Sequence, residues 1–179
     1  MEEDYLPHTR VSKYIDSTIK NFGDLVSYLW LVLLLLIILN VVRRYIFSEG
    51  SIELEEIQWH LYSTGFLAGL SFAYQADTHI RVDILRPHFS PELQAWIEIY
   101  GTILFLIPFV AFILIHSVPF VQASWALGEV SPSPGGLPYR WLIKAALPLG
   151  FGLLLLCSFS RLYRVWFFLF SEGSDFGNK

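Results

Sequence analysis

The segment Leu31-Val32-Leu33-Leu34-Leu35-Leu36-Ile37-Ile38-Leu39 decides the fold class of this chain. It lies within an uncharged run from Leu25 to Val42. Each of these aliphatic residues favours insertion near the centre of a bilayer by about 0.3–0.6 kcal/mol, so the whole segment favours insertion by several kcal/mol. A run of this length without charges is typical of a transmembrane helix.

Three further apolar runs follow in the chain of 179 residues. Only 16% of the residues are charged, against about 25% in an average soluble domain. The sequence therefore predicts an all-α integral membrane protein with four transmembrane helices and an amphipathic surface helix at the N-terminus. The predicted spans, all in one membrane domain that covers residues 1–179, are 25–44, 54–76, 91–118 and 138–165.

Caps and prolines predict where these helices begin, bend and end. Ser51 before an acidic turn and Ser90 before Pro91 are typical helix N-caps. Pro108 is expected to kink the third span and Pro119 to end it. The first apolar run has no small-x-small cleavage pattern after it, so we interpret it as a retained helix and not as a cleaved signal peptide.

The segment before the first span has apolar residues at roughly helical spacing between Val11 and Phe22. This pattern predicts an amphipathic helix on the cytoplasmic leaflet, with a short polar lead-in as the alternative. Four spans place both termini on one side, and cytoplasmic termini put eight basic residues inside and four outside, which the positive-inside rule favours. The four outside are Arg43, Arg44, Arg140 and Lys144.

Composition and motifs argue against several kinds of function. The net charge is −4 and no basic cluster is present, which argues against a nucleic-acid partner. The single cysteine, Cys157, rules out a disulfide scaffold. We find no catalytic, substrate-binding or metal motif, and expect no cofactor. Every Asp, Glu, Lys and Arg lies near a predicted span end, which argues against a free-standing small channel or an ion-coupled carrier.

Two histidines lie within apolar segments and leave one alternative open. His60 is near the start of the second predicted span and His116 near the end of the third, at comparable depth. Two such histidines can ligate a b-type haem in a four-helix electron-transfer anchor. The simpler interpretation is a pair of interfacial histidines with hydrogen-bond partners or water.

A polar loop between the second and third predicted spans carries the most specific pattern. His79-Ile80-Arg81-Val82-Asp83 resembles a signature in the small membrane subunit of tripartite ATP-independent periplasmic (TRAP) transporters. Further matches follow in the family's order, over about residues 20 to 165. They are Arg44-Tyr45-Ile46-Phe47, Glu55-Glu56 with Trp59, and Gly136-Leu137-Pro138 followed by Trp141 and Lys144. Asp77-Thr78 before the histidine departs from the family pattern.

This resemblance implies a non-catalytic subunit of the bacterial inner membrane. In the family, a periplasmic substrate-binding protein delivers an organic acid or related solute, and a large multi-helix membrane subunit carries out sodium-coupled transport. The small subunit packs against the large one and holds neither substrate nor sodium.

The chemistry of individual residues suggests a physical role for each. Arg81 and Asp83 can make charge-assisted bonds that fix the cytoplasmic turn. Trp59 and Trp141 suit interfacial anchoring. Arg43 and Arg44 can bind membrane lipids through their phosphates. Three acids, Glu55, Glu56 and Glu129, can contact the docked binding protein.

Overall fold

The computed structural model describes residues 10–76 and 89–171. In this part of the chain the secondary structure is helical. These described residues form five α-helices, and a short π-helical segment, Thr102–Leu106, joins the third to the fourth. They are α1 (Arg10–Ile46), α2 (Ile52–Gln75), α3 (Pro91–Gly101), α4 (Ile107–Ala126) and α5 (Trp141–Ser171).

The predicted N-caps begin two of these helices. The Ser51 hydroxyl accepts a hydrogen bond from the Leu54 amide at 3.3 Å, and Glu53 and Glu55 lie in the first turn of α2. The Ser90 hydroxyl accepts from the Leu93 amide at 3.3 Å. Each cap satisfies one of the amides that an α-helix leaves unpaired at its start, and the acids suit the positive end of the helix dipole.

Proline residues in the third predicted span act differently from one another. The π-helical segment ends at Leu106, two residues before Pro108, which occupies the first turn of α4. A proline ring clashes with the carbonyl four residues earlier, and the wider π turn relieves that contact. The expectation that Pro119 ends the helix is wrong, because α4 continues through it to Ala126. Transmembrane helices tolerate such prolines, since neighbouring groups satisfy the freed backbone.

The predicted N-terminal helix is continuous with the first span. α1 runs without a break from Arg10 to Ile46, so the segment that we expected to lie on the membrane surface extends directly into the apolar part. Its buried side is a narrow seam, with Ile19, Val26 and Leu33 spaced by seven residues. A spacing of seven is typical of helices that pack along their length at a shallow angle.

The helix α5 is the centre of the bundle. It packs against α2, α4, α1 and α3, and α1 also packs along α2. The contact of α5 with α2 is made by small residues: a Cβ added to Gly150 would lie 2.8 Å from Leu67 Cβ. The Ser71 hydroxyl donates to the Gly150 carbonyl at 3.2 Å. Small residues at such crossings let helix backbones approach closely in membranes.

The outer surface of the bundle is apolar and its interior is partly polar. Large side chains such as Leu35 and Ile115 are about two-thirds exposed, whereas Ser71, Ser124 and Ser158 are almost fully buried. A soluble monomer rarely exposes apolar area on this scale, so lipid or a partner must cover it.

Three stretches of helix in the described residues are long and apolar enough to cross a membrane. They are Tyr14–Ile46, Pro91–Ala126 and Trp141–Phe170. The helix α2 is less apolar because its first turns carry acids, but its 24 residues reach about 36 Å, more than a hydrocarbon core of about 30 Å. The chain is an all-α membrane protein.

Candidate functional site: the α4–α5 loop and the ion pairs at both ends of the bundle

The α4–α5 loop, residues 127–140, is folded back on itself. The Arg140 amide donates to the Glu129 carbonyl at 3.0 Å, and the Ser131 amide donates to the Leu137 carbonyl at 3.1 Å. Gly128 leaves α4 with a φ of 56°, a left-handed conformation that glycine adopts without strain. These bonds give the loop a defined shape. We call the end of the bundle that contains this loop and the start of α2 the loop end.

The carboxylate of Glu56 binds the loop to α2. Its Oε2 accepts a hydrogen bond from the Leu137 amide at 2.6 Å, and its Oε1 accepts one from the Ser131 hydroxyl. Hydrogen bonds to an ionised acceptor are stronger than neutral ones. A Cβ on Gly136 would lie 2.5 Å from Ser131 Cβ and 3.0 Å from Glu56 Oε1. Glycine at position 136 therefore allows the loop to approach the carboxylate this closely.

A second carboxylate, that of Glu129, binds the loop to the start of α5. Lys144 Nζ donates to its Oε2, and Arg140 Nε lies 3.7 Å from its Oε1. The hydrogen bond from Lys144, together with the nearby Arg140 charge, holds the pKa of the Glu129 carboxyl below its ordinary value. The Lys144 ammonium also lies 4.1 Å from the centre of the Phe120 ring, a cation–π contact that ties α5 to α4.

A cavity of about 400 Å³ lies between α2, the loop and the start of α5. Glu55 and Trp59 line it and are exposed, and Arg140 and His60 line it as well. The Glu56 carboxylate also lines it, but its hydrogen bonds lie within the chain. Of the neighbouring acids Glu55 and Glu56, Glu55 is therefore the one whose side chain is exposed and can contact a partner.

The two candidate haem histidines differ in their surroundings. His60 lines the cavity, and its Nδ1 lies 2.6 Å from the Glu56 carbonyl of the same helix. His116 is exposed on α4, with Nδ1 2.8 Å from the Phe112 carbonyl and its ring 4.3 Å from the Phe112 ring. Their helices both pack against α5. An exposed His116 in contact with its own helix does not favour a haem shared with His60.

The remaining predicted residues lie in separate places. Arg43 pairs with Glu49 at 3.2 Å, whereas Arg44 is exposed. The Trp141 ring packs edge-on against Trp125 at 4.4 Å between centroids, at the junction of α4 and α5. The predicted residues His79, Arg81 and Asp83 lie outside the described residues. Within the described ranges, no group of three metal-ligating side chains comes together.

Sequence reasoning missed the polar contacts at the other end of the bundle, which we call the Arg161 end. Arg161 Nε donates to the Glu98 carboxylate, and both side chains are largely buried. Arg161 Nη1 also donates to the Tyr74 carbonyl at 3.4 Å. The Ser160 hydroxyl donates to the Asp16 carboxylate at 3.0 Å. These contacts join α1, α2, α3 and α5, and no local sequence pattern connects residues so far apart in the chain.

The family model described as "Tripartite ATP-independent periplasmic transporters, DctQ component" matches residues 33–168, well over half of the chain. The chain belongs to this family. The resemblance predicted from the polar loop and its flanking motifs is thereby confirmed. Among curated proteins, no relative matches the chain.

Membership of the DctQ component family makes this protein the small membrane component of a TRAP transporter. The matched region runs from the apolar centre of α1 to the last turns of α5, so it includes the Glu129 ion pairs at the loop end and the Arg161–Glu98 ion pair. It also includes Glu56, the Leu137 amide that donates to its carboxylate, and Gly136, which lies close to that carboxylate.

Proposed function

We propose that this chain is the non-catalytic small subunit of a sodium-coupled, binding-protein-dependent transporter for organic acids or related small solutes in a bacterial inner membrane. Its role is to hold the large multi-helix transport subunit in position. One observation carries this proposal. Charged side chains tie the helices together at the loop end and at the Arg161 end, while small residues pack the α2–α5 crossing between them.

Such an arrangement suits a rigid support. A carrier must change the relative position of its helices during transport, and its coupling residues are normally charged groups within the membrane. In the described part of this chain, Arg161 and Glu98 are paired with each other, and Lys144 and Glu129 likewise. Their bonds stabilise one arrangement of the bundle.

We assign the loop end to the periplasm, with both termini cytoplasmic. This orientation follows the excess of basic residues on the opposite side. It makes the exposed Glu55 the acid that contacts the docked substrate-binding protein, while Glu56 holds the loop. Arg43 and the more exposed Arg44 then face the outer leaflet, where lipid phosphates are their partners.

The segment with His79, Arg81 and Asp83 then faces the cytoplasm. We propose that it contacts the large subunit through charge-assisted hydrogen bonds. The variant Arg81→Glu should lower the amount of large subunit that co-purifies, whereas Arg86→Glu in the same segment is the matched control. Equal recovery of the large subunit with both variants would remove Arg81 from the interface.

The test of the whole proposal is purification of the tagged chain from its native membrane in mild detergent, followed by reconstitution. A multi-helix membrane protein should co-purify. Sodium-dependent uptake into liposomes should require both membrane subunits and the binding protein. Uptake by the large subunit and binding protein without this chain, at an undiminished rate, would refute the supporting role.

A further inference from the structure

The outward face of α4 carries a polar side chain at membrane depth. His116 is exposed, next to Ser117, which belongs to the seam that α4 buries. It lies four residues, about 6 Å, further into the bundle than Phe120, whose ring contacts the Lys144 ammonium. An ionisable side chain at such depth normally faces protein or a water-filled cavity, because hydrocarbon offers no hydrogen-bond partner.

The contacts of the imidazole define which chemistry it offers. The Phe112 carbonyl can only accept, so Nδ1 of His116 carries the hydrogen of that 2.8 Å bond. In the neutral ring, Nε2 is then a hydrogen-bond acceptor. Nε2 has no hydrogen-bond partner among the described residues. The face therefore presents an acceptor for which the described part of the chain supplies no donor.

The backbone beside His116 lacks one regular helix donor. Pro119 lies inside α4 and has no amide hydrogen. In a regular α-helix that position donates to the carbonyl four residues earlier, which here belongs to Ile115. A donor on a neighbouring helix can satisfy the Ile115 carbonyl, which belongs to the residue next to His116.

We infer that this face of α4, made by Phe112, Ile115 and His116, is where a helix of the large transport subunit packs, with hydrogen-bond donors opposite His116. The inference rests on the proposed function, since it names the large subunit as occupant. Donors that suit it are hydroxyl, amide or indole N–H groups. The side chains of Phe112 and Ile115 are both more than 60% exposed and supply the apolar part of the contact.

The outward face of α1 is the matched comparison. Leu35 is 65% exposed and Ile115 is 67% exposed. Each lies 11 residues before the last residue of its helix, so the two positions have similar depth. Around Leu35 the exposed side chains are aliphatic, including Leu31, Val32 and Ile38, and lipid tails satisfy such a surface.

Photo-cross-linking distinguishes the two faces. p-Benzoylphenylalanine placed at residue 115 or residue 35 is irradiated in native membranes, and the complex is then purified. We expect an adduct with the large subunit from position 115, and at least about fivefold less from position 35. Adducts only with lipid, only with a second copy of this chain, or equally from both positions would overturn the inference.

Substitution of the histidine tests the hydrogen bond itself. One interhelical hydrogen bond in a membrane corresponds to about a threefold change in affinity on average. His116→Leu should therefore lower retention of the large subunit by about threefold or more, and His116→Gln, which keeps an acceptor, should retain it better. The melting temperature of the isolated small subunit should change little with either variant. A drop in that temperature with unchanged retention would refute docking at His116.

These outcomes separate the inference from the proposed function. If a large subunit co-purifies but position 115 gives no adduct with it, the docking face is wrong and the function stands. If no large subunit co-purifies, both are wrong.

Discussion

Substitution of Gly150 by alanine tests the close crossing of α2 and α5. An added Cβ would lie 2.8 Å from Leu67 Cβ and 3.0 Å from the Leu67 carbonyl oxygen. The second of these atoms belongs to the backbone, so a change of rotamer cannot relieve the contact. The two helices must separate by about 0.6 Å, the difference between 2.8 Å and the 3.4 Å at which ordinary contact begins.

The cost of this separation can be compared with the benefit of a better helix former. Forcing one extra carbon into a packed interior costs about 1–3 kcal/mol. Alanine favours a helix over glycine by about 1 kcal/mol, which partly offsets that cost. The variant Gly152→Ala is the matched control, because its added Cβ meets nothing within 4 Å and gains the same helix preference.

We therefore expect Gly150→Ala to be less stable than Gly152→Ala by about 1–3 kcal/mol. Reversible unfolding in mixed micelles with increasing SDS, followed by circular dichroism, measures both free energies of unfolding. The crossing also contains the hydrogen bond from Ser71 to the Gly150 carbonyl. The single variant Ser71→Ala should therefore lower the free energy of unfolding by ~0.6 kcal/mol. Unfolding of Gly150→Ala and Gly152→Ala at the same SDS fraction would show that the helices do not cross this closely.

Three further predictions concern the carboxylates. Because the pKa of Glu129 is lowered in the folded protein, its contribution to stability is present at neutral pH and is lost as the pH falls through that lowered pKa. The variant Lys144→Met should therefore lose less stability on acidification than the unchanged protein, as measured by melting temperature at a series of pH values. The variant Glu56→Ala should speed hydrogen exchange of the α4–α5 loop amides, whereas Glu56→Gln, which keeps an acceptor, should change the exchange rate less. Equal exchange rates in the two variants would contradict the hydrogen bonds of the Glu56 carboxylate. The variant Glu98→Ala leaves Arg161 without its carboxylate partner and should lower the free energy of unfolding by about 3 kcal/mol in an SDS titration. The double variant Glu98→Met, Arg161→Met, which removes both charges, should recover most of that free energy.

Local signals in the sequence predicted the helix starts well. Ser51 and Ser90 lie directly before their helices, and the bonds that they accept come from residues three positions later. The proline signal was less reliable. Pro108 follows a π-helical segment as a kink would suggest, but Pro119 lies within α4, because a helix in a membrane has little alternative to remaining helical.

The candidate site was predicted as a set of residues and not as a set of contacts. Glu56 and Lys144 were singled out by the family resemblance, and the structure gives each a partner. Glu56 binds Ser131 and the Leu137 amide, which lie 75 and 81 residues away in the chain. No periodicity connects residues at such distances, so the sequence suggested for Glu56 an external contact with the binding protein and not a bond to the α4–α5 loop.

The amino-acid sequence alone determined that this chain is helical and lies in a membrane. That information is local, since long apolar runs must insert and must satisfy their backbone groups as helices. The tertiary structure alone decided which polar groups meet. The pairing of Arg161 with Glu98 and of Glu129 with Lys144 depends on how α5 packs against α3 and α4. Packing also left His116 on the outside of the bundle, because the seam of α4 that fits α5 is the one with Val110, Ser117 and Ser124.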